Sequence, residues 1–164
     1  MKWAGEDCRM SVLLEYSVDN GIAVLVIDNP PVNALSQQVR QAIRESITAA
    51  EADDGVKAVV IACTGRTFSA GADIREFDAP VKDPSLPILN DFIESGTKPV
   101  VAALHGTTLG GGLELAMSCH YRVALTGTRV GLPEVHLGLI PGAGGTQRLP
   151  RLIGAEAAIE AITT

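Results

Sequence analysis

Two glutamates, each beside a glycine-rich stretch, are the residues of this chain whose type and spacing best suit chemistry. Glu114 follows three consecutive glycines at 110–112, and Glu134, twenty positions later, leads into the glycine-rich segment 138–146. Glycines allow a backbone N–H to approach a ligand oxygen closely, and two carboxyl groups can divide the roles of acid and base. The pattern therefore indicates chemistry at a carbonyl group.

The first glutamate is predicted to lie one turn into a helix. An apolar strand ends at Leu104 and a helix is expected over residues 111–119, so the glycines lie at a helix N-terminus, where free N–H groups and the helix dipole favour developing negative charge. Burial of Glu114 among apolar neighbours without a cationic partner would raise its pKa, which suits proton transfer. Alternatively, the glycines only allow tight helix–strand packing, and Glu114 caps backbone N–H groups.

Two further segments could supply backbone donors. The stretch 131–150 carries five glycines around Glu134, and Gly145 and Thr146 can begin the following helix. So many glycines are costly for stability, which suggests a functional geometry, although a surface loop with turn glycines is the alternative. The small-residue loop 69–73 could offer a second amide, which together with Gly111 would form a two-donor oxyanion hole.

Other reactive side chains give weaker patterns. His105 and His136 could be bases and Ser69 a nucleophile, but there is no Gly-x-Ser-x-Gly elbow and no evident His/Asp pairing, so packing or hydrogen bonding is the favoured interpretation. The glycine segments match neither dinucleotide nor Walker-type phosphate motifs, and no cluster has metal-ligand spacing. The cysteines Cys8, Cys63 and Cys119 are odd in number and lie far apart. Cys63 and Cys119 have apolar neighbours, so they are interpreted as small buried hydrophobic residues rather than as nucleophiles or metal ligands.

Composition limits the function classes. The 164 residues fit one domain, and 46% apolar with 20% charged residues is ordinary for a globular protein. Aromatic residues make up 4%, the net charge is −6 and there is no basic run, so a nucleic-acid binder is not expected. No apolar run is long enough for a membrane span or a signal peptide, which predicts a soluble chain in a reducing compartment.

Alternating strands and helices predict an α/β domain with a largely parallel sheet. Residue 36 is a plausible N-cap for the first helix. Residues 57–64 are expected to form a strand covered on both faces, and residues 79–86 are expected to form an exposed, mobile loop. A short helical turn is expected from residue 74. The predicted strands are 12–16, 22–28, 57–64, 99–104, 121–125 and 130–131, and the predicted helices are 36–52, 88–96, 111–119, 146–153 and 155–162.

Several long motifs occur together in a recognisable order, at residues 69–74, 110–116, 133–134 and 138–150. In these segments the chain resembles the enoyl-CoA hydratase/isomerase (crotonase) family, and more narrowly the N-terminal hydratase part of multifunctional fatty-acid β-oxidation proteins, which continue into 3-hydroxyacyl-CoA dehydrogenase domains. Residues 29–35 are similar to the opening signature of the same family.

The resemblance implies a crotonase-like spiral of ββα units. We expect a polar N-terminal segment over residues 1–11 and the hydratase/isomerase-like domain over residues 12–164. The chain stops abruptly after the last predicted helix, and the family's domain extends further. The C-terminal part of the domain is therefore expected to be missing from this chain.

The resemblance also assigns roles to site residues. The N–H groups of Ala72 and Gly111 match the oxyanion hole that holds the thioester oxygen. Glu114 and Glu134 match the two catalytic carboxylates, the first orienting and deprotonating water and the second delivering a proton to the α-carbon. Because both glutamates are retained, hydration of trans-2-enoyl-CoA to 3-hydroxyacyl-CoA is the implied reaction.

Binding and cellular context follow from the same resemblance. The backbone around Ala70, Ala72, Asp73 and Ile74 matches the segment that receives the adenine end of coenzyme A. Hydration needs no cofactor, coenzyme A is part of the substrate, and NAD enters only if a dehydrogenase domain follows. An acyl-CoA thioester is the expected ligand, with a homo-oligomer or a β-oxidation complex as the suggested assembly. The expected location is cytoplasmic in a bacterial-like cell, or the peroxisome or mitochondrion of a eukaryote.

Two alternatives stay open at this point. The same oxyanion hole could serve a Δ3–Δ2 enoyl-CoA isomerase or another crotonase-type acyl-CoA enzyme, such as a thioester hydrolase. The abrupt end of the chain also allows an inactive fragment that only binds acyl-CoA or mediates assembly.

Overall fold

Strands and helices alternate along the chain in the computed structural model, which describes residues 9–11, 13–77 and 80–163. The strands are β1 (Arg9–Ser11), β2 (Leu14–Asp19), β3 (Ile22–Ile27), β4 (Ala58–Cys63), β5 (Val100–Leu104), β6 (Thr107–Leu109), β7 (Tyr121–Ala124) and β8 (Arg129–Gly131). The α-helices are α1 (Gln37–Ala52), α2 (Leu86–Glu94), α3 (Gly111–Ser118), α4 (Gly145–Ile153) and α5 (Ala155–Thr163). Two 3₁₀ turns lie at Ile74–Glu76 and Pro133–Leu137.

The main sheet has six strands in the order β1-β2-β3-β4-β5-β7. The first three strands pair antiparallel, and β3, β4, β5 and β7 pair parallel, which confirms the predicted α/β class. Asn20 and Gly21 both have positive φ and close the hairpin between β2 and β3, as is typical of an Asn-Gly turn. The parallel part of the sheet places the segments after β3, β4 and β5 at the same edge.

The first helix covers one face of this sheet. Its buried apolar residues recur at helical spacing along α1 (Val39, Ile43, Ile47 and Ala50), and the Ser36 hydroxyl caps its start by accepting the Val39 N–H at 3.4 Å. On β4, Val59 and Ile61 are fully buried, whereas the alternate residues are half-buried. One face of this strand is therefore fully covered, and the other is covered only in part.

A second, two-stranded parallel sheet pairs β6 with β8. Strand, strand and helix recur as β2-β3-α1, β5-β6-α3 and β7-β8-α4, which agrees with the predicted spiral of ββα units. After β4 the second strand is reduced to a bridge, in which Ser69 pairs with Thr108 of β6. A further bridge joins Leu35 to Ala72. These short pairings stack successive turns of the spiral beside the main sheet.

Several predicted boundaries need correction. The first predicted strand corresponds to β2, which begins at Leu14 and extends to Asp19 because its pairing continues to the hairpin turn; residue 12 lies outside the described residues. The second helix begins at Leu86 rather than at residue 88, since a proline is tolerated in the first turn. Pro84 and Leu86 are buried, so the second half of segment 79–86 is not the exposed loop that was expected.

The N-terminal segment predicted over residues 1–11 lies mostly outside the described residues. Its last three residues form β1. Across the part of the chain that the structure describes, none of the helices has both the length and the apolar character needed to cross a membrane.

Candidate active site

The backbone amides of Ala72 and Gly111 lie close together where the loop after β4 meets the start of α3. A Cβ built on Gly111 would lie 3.1 Å from the Ala72 nitrogen, and one built on Gly71 would lie 3.1 Å from the Gly111 nitrogen. As the first residue of α3, Gly111 has no acceptor for its N–H within the helix. The fold thus brings together the two donors that the sequence predicts for an oxyanion hole.

Buried polar side chains hold the loop that carries Ala72. The Ser69 hydroxyl donates to the Asn33 carbonyl at 2.7 Å and accepts the Gly71 N–H at 3.1 Å. The Asn33 side-chain amide donates to the carbonyls of Thr64 and Thr67 at 2.8 and 2.9 Å. Because its hydroxyl is fully buried and bonded in this way, Ser69 orients the loop and is not a free nucleophile.

Glu114 is buried in α3, with 2% of its surface exposed. Its Oε1 accepts the N–H groups of Ala143 and Gly145, both at 2.8 Å. Burial raises the pKa of Glu114, and these two hydrogen bonds together with the positive charge of Arg148 oppose that rise. The carboxyl therefore does cap backbone N–H groups. The expectation that it lacks a cationic neighbour is wrong.

Glu134 lies half-buried in the 3₁₀ turn Pro133–Leu137, above the start of α3. A Cβ built on Gly110 would lie 3.1 Å from its Oε1. Its Oε2 is buried and accepts no hydrogen bond from any residue that the structure describes. Burial raises the pKa of Glu134, a hydrogen bond from its own backbone N–H opposes that rise, and the negative charge of Glu114 adds to it. The Glu134 carboxyl therefore lies beside the glycine that precedes Gly111 and interacts with the buried carboxyl of Glu114.

Replacing Glu114 with Gln is expected to lower the pKa of Glu134. Ionised Glu114 repels a second negative charge, so its removal makes ionisation of Glu134 easier and shifts the titration to lower pH. The ¹³C chemical shift of the Glu134 carboxyl, followed across pH in the parent and in Glu114→Gln, measures this change. An unchanged or higher midpoint would show that the two carboxyls do not interact.

The segment predicted to bind coenzyme A starts beside the amide pair. The Ala70 N–H donates to the Val32 carbonyl at 2.9 Å, and Ile74 is 67% exposed. The Asp73 carboxylate binds the Arg75 guanidinium at 2.9 and 2.7 Å, and the hydrogen bonds from Arg75 lower the pKa of Asp73. Asp73 therefore fixes the local turn, and the exposed surface here comes from Ala70 and Ile74.

The histidine and cysteine side chains lie in surroundings that differ from those of the two glutamates. His105 is half-buried with its Nε2 3.2 Å from the Gly65 carbonyl, and His136 is exposed. Burial raises the pKa of both described cysteine thiols, that of Cys119 to about 12, so they stay protonated, as the interpretation of small buried residues requires. Cys8 lies outside the described residues. Within the described ranges, no three His, Cys, Asp or Glu side chains are grouped so that they could hold a metal ion.

Sequence reasoning missed two side chains near Glu114. Asn90 of α2 and Arg148 of α4 both donate to the Ala143 carbonyl at 3.0 Å. One signal was available for Asn90, which is a polar residue on the apolar face formed by Leu86, Leu89 and Ile93. Nothing in the local sequence marks Arg148.

Comparisons with known proteins identify the family to which the chain is similar. A family model described as enoyl-CoA hydratase/isomerase matches residues 17–164. A peroxisomal bifunctional enzyme from Danio rerio is 56% identical over 147 residues, which cover 90% of this chain and 20% of that protein. A probable enoyl-CoA hydratase from Bacillus subtilis (strain 168) is 48% identical over 156 residues, which cover 91% of this chain and 60% of that protein.

Solved structures of enoyl-CoA hydratases have a fold similar to that of this chain. The crystal structure of an enoyl-CoA hydratase from Thermoplasma volcanium GSS1 superimposes with a TM-score of 0.82 at 33% sequence identity, covering 93% of this chain and 64% of that one. The chain thus spans about a fifth of the fish bifunctional enzyme and less than two thirds of the bacterial and archaeal hydratases.

Proposed function

Because the chain belongs to the enoyl-CoA hydratase/isomerase family, we propose that it hydrates trans-2-enoyl-CoA to 3-hydroxyacyl-CoA in fatty-acid β-oxidation. The observation that carries this proposal is that the Glu134 carboxyl lies beside the glycine preceding Gly111, whose amide is close to that of Ala72, and interacts with the buried carboxyl of Glu114. Addition of water to an enoyl thioester needs one group to take a proton, one to give a proton and donors for the oxygen that becomes negative.

The two carboxyls have environments that suit opposite roles. Burial raises the pKa of Glu114, but the two N–H groups that it accepts and the positive charge of Arg148 favour its ionised form. Glu134 has one buried oxygen without a hydrogen bond from the described residues. Burial and the negative charge of Glu114 favour its protonated form, although a hydrogen bond from its own backbone N–H opposes them. Of the pair, Glu114 is therefore assigned as the base and Glu134 as the acid.

The proposed reaction proceeds through an enolate. Water adds its oxygen to the β-carbon while Glu114 takes one of its protons, and the electrons of the double bond move onto the thioester as an enolate. The amides of Ala72 and Gly111 stabilise the negative oxygen, and Glu134 then gives its proton to the α-carbon. Transfer of a proton from Glu114 back to Glu134 through solvent restores the starting state. In comparable oxyanion holes one donor contributes about 3 kcal/mol.

Isomerisation of 3-enoyl-CoA to 2-enoyl-CoA is a second candidate activity. It moves a proton from the α-carbon to the γ-carbon as the double bond shifts, and one carboxylate can carry that proton. The buried Oε2 of Glu134, which has no hydrogen bond from the described residues, favours this residue as the carrier. The amide pair would stabilise the same enolate in both reactions.

Substrate binding and assembly complete the proposal. The exposed surface of Ala70 and Ile74 and the backbone at Ala72 and Asp73 are assigned to coenzyme A. Exposed apolar side chains on the edge strand β7 and just after it support a homo-oligomer or a β-oxidation complex: Tyr121, Val123 and Leu125. The compartment is the one that houses β-oxidation, either the bacterial cytoplasm or the peroxisome or mitochondrion of a eukaryote.

Product analysis of the purified chain tests the proposed function. With trans-2-enoyl-CoA, we expect loss of the conjugated thioester absorbance and a product heavier by one water. Formation of the conjugated chromophore from 3-enoyl-CoA would identify isomerase activity, and release of free thiol would identify thioester hydrolysis. Calorimetric binding of acyl-CoA without turnover of any of these substrates would contradict the proposal and favour a chain that only binds.

A further inference from the structure

The hydrogen bonds that hold Glu114 come from a remote part of the chain. Its Oε1 accepts from Ala143 and Gly145, which lie 29 and 31 positions later, at the start of α4. Helix α3 fixes the backbone of Glu114, but the direction and ionisation of its carboxyl depend on where these two amides stand. Whatever fixes the segment 143–145 therefore also fixes the proposed catalytic base.

Asn90 fixes this segment from inside the protein. It is fully buried on α2, and its Nδ2 donates to the Ala143 carbonyl at 3.0 Å. The Ser118 hydroxyl lies 3.5 Å from the Asn90 Oδ1, and Ser118 is one turn after Glu114 on α3. Asn90 thus lies between the helix that carries Glu114 and the loop that holds its carboxyl. A buried amide is costly unless it is bonded, which favours a single arrangement of these parts.

Arg148 also holds the Ala143 carbonyl, and it adds a positive charge. Its Nη1 donates to the Ala143 carbonyl at 3.0 Å, and its Nη2 binds Asp91 and Glu94 of α2 at 3.1 and 2.7 Å. The charged groups that act on Glu114 are this guanidinium from α4 and the Glu134 carboxyl from the 3₁₀ turn. The positive charge favours ionised Glu114, which is the form that a base requires.

We propose that Asn90 and Arg148 are positioning residues, which clamp the Ala143 carbonyl and thereby aim the amides of Ala143 and Gly145 at Glu114. Their catalytic effect rests on the proposed function, because it requires Glu114 to act as a base. The clamp itself is a property of the fold, and it can be measured without turnover.

The test compares variants of the full 164-residue chain by ¹³C NMR of the Glu114 carboxyl, whose signal is assigned by its loss in Glu114→Gln. Arg148→Met and Asn90→Leu are each expected to shift the Glu114 titration to higher pH, because the carboxylate loses a nearby charge or well-placed donors. Arg148→Lys, which keeps the charge, should restore most of the parent midpoint. For hydration of trans-2-enoyl-CoA, we expect both variants to lose kcat by about tenfold, with KM nearly unchanged.

Two controls separate this role from a general effect on stability. Arg151→Met removes a positive charge from the same helix without touching Ala143, so its Glu114 titration should match the parent. The double variant Asp91→Asn/Glu94→Gln removes the ion pairs between α2 and α4 but leaves the Arg148–Ala143 bond, so the midpoint should not rise.

The Glu114 titrations of these variants either support or contradict the positioning role of Arg148 and Asn90. An Arg148→Met variant that is folded by circular dichroism and titrates like the parent would overturn it, and so would an equal upward shift in Arg151→Met. If Asn90→Leu does not fold, the Arg148 series still gives the answer. If the parent chain does not hydrate any enoyl-CoA, the proposed function fails, whereas the Glu114 titrations still support or contradict the clamp.

Discussion

Glu134→Gln is expected to lower kcat for hydration of trans-2-enoyl-CoA by about a thousandfold, while acyl-CoA binding survives. Glutamine keeps the size of the side chain but cannot give up a proton to the α-carbon, and general acid–base catalysis contributes roughly 10²–10⁴-fold in enzymes. Glu114→Gln should cause a loss of similar size because the attacking water then has no base. Steady-state kinetics of both variants, with binding measured by calorimetry, check this expectation.

The loss of activity should not come from unfolding. Burial raises the pKa of Glu134, so ionisation above that pKa opposes folding, and an uncharged glutamine avoids this cost. The free energy of unfolding of Glu134→Gln at neutral pH should therefore equal or exceed that of the parent. Glu156→Gln, an exposed substitution on α5, is the matched control and should retain parent activity. Hydration at the parent rate by both active-site variants would remove the carboxyl pair from the mechanism.

Gly111→Ala is the second substitution with a large expected effect, a loss of about 10²–10³-fold in kcat. The new methyl group would lie 3.1 Å from the Ala72 nitrogen and 2.6 Å from Cδ2 of Leu86. The end of the leucine can move, but the backbone amide is fixed by its loop, so the methyl group obstructs the space between the two donors. Because this interaction acts mainly on the enolate, kcat and kcat/KM should fall together.

A double variant identifies the cause of this loss. Leu86→Ala removes the flexible side chain that the new methyl group meets first, and leaves the approach to the Ala72 amide unchanged. Gly111→Ala/Leu86→Ala should therefore stay as inactive as Gly111→Ala. Recovery of parent activity in the double variant would attribute the defect to crowding at Leu86 and would argue against an oxyanion hole at this position.

The regular parts of the fold could be predicted from local patterns. Helix α1 follows from apolar residues at helical spacing behind the Ser36 cap, and the hairpin between β2 and β3 follows from Asn20 and Gly21. In contrast, β6 and the 3₁₀ turn at Pro133–Leu137 were not predicted. Strand β6 is three residues long and gains its hydrogen bonds from β8, about twenty positions away, so no local period identifies it.

The candidate site was predicted as separate pieces. The glycines before Glu114 and the small-residue loop around Ala72 indicated donors, and the two glutamates indicated an acid and a base. Asn90 was missed because its role depends on a carbonyl more than fifty positions away. The charge of Arg148 near Glu114 was missed for the same reason, since an arginine within a helix has no local feature that shows which loop it will contact.

By itself, the sequence determined which chemical groups are available: two carboxyls, glycines that leave backbone N–H groups accessible, and the elements that carry them. Only the tertiary structure decided that Glu134 lies above the start of α3, and that Glu114 is held by amides at the start of α4. The physical reason is that side-chain type and local conformation depend on neighbouring residues, whereas distance, burial and charge at the site depend on long-range packing. The pKa of each carboxyl, and hence the role proposed for it, follows from that packing.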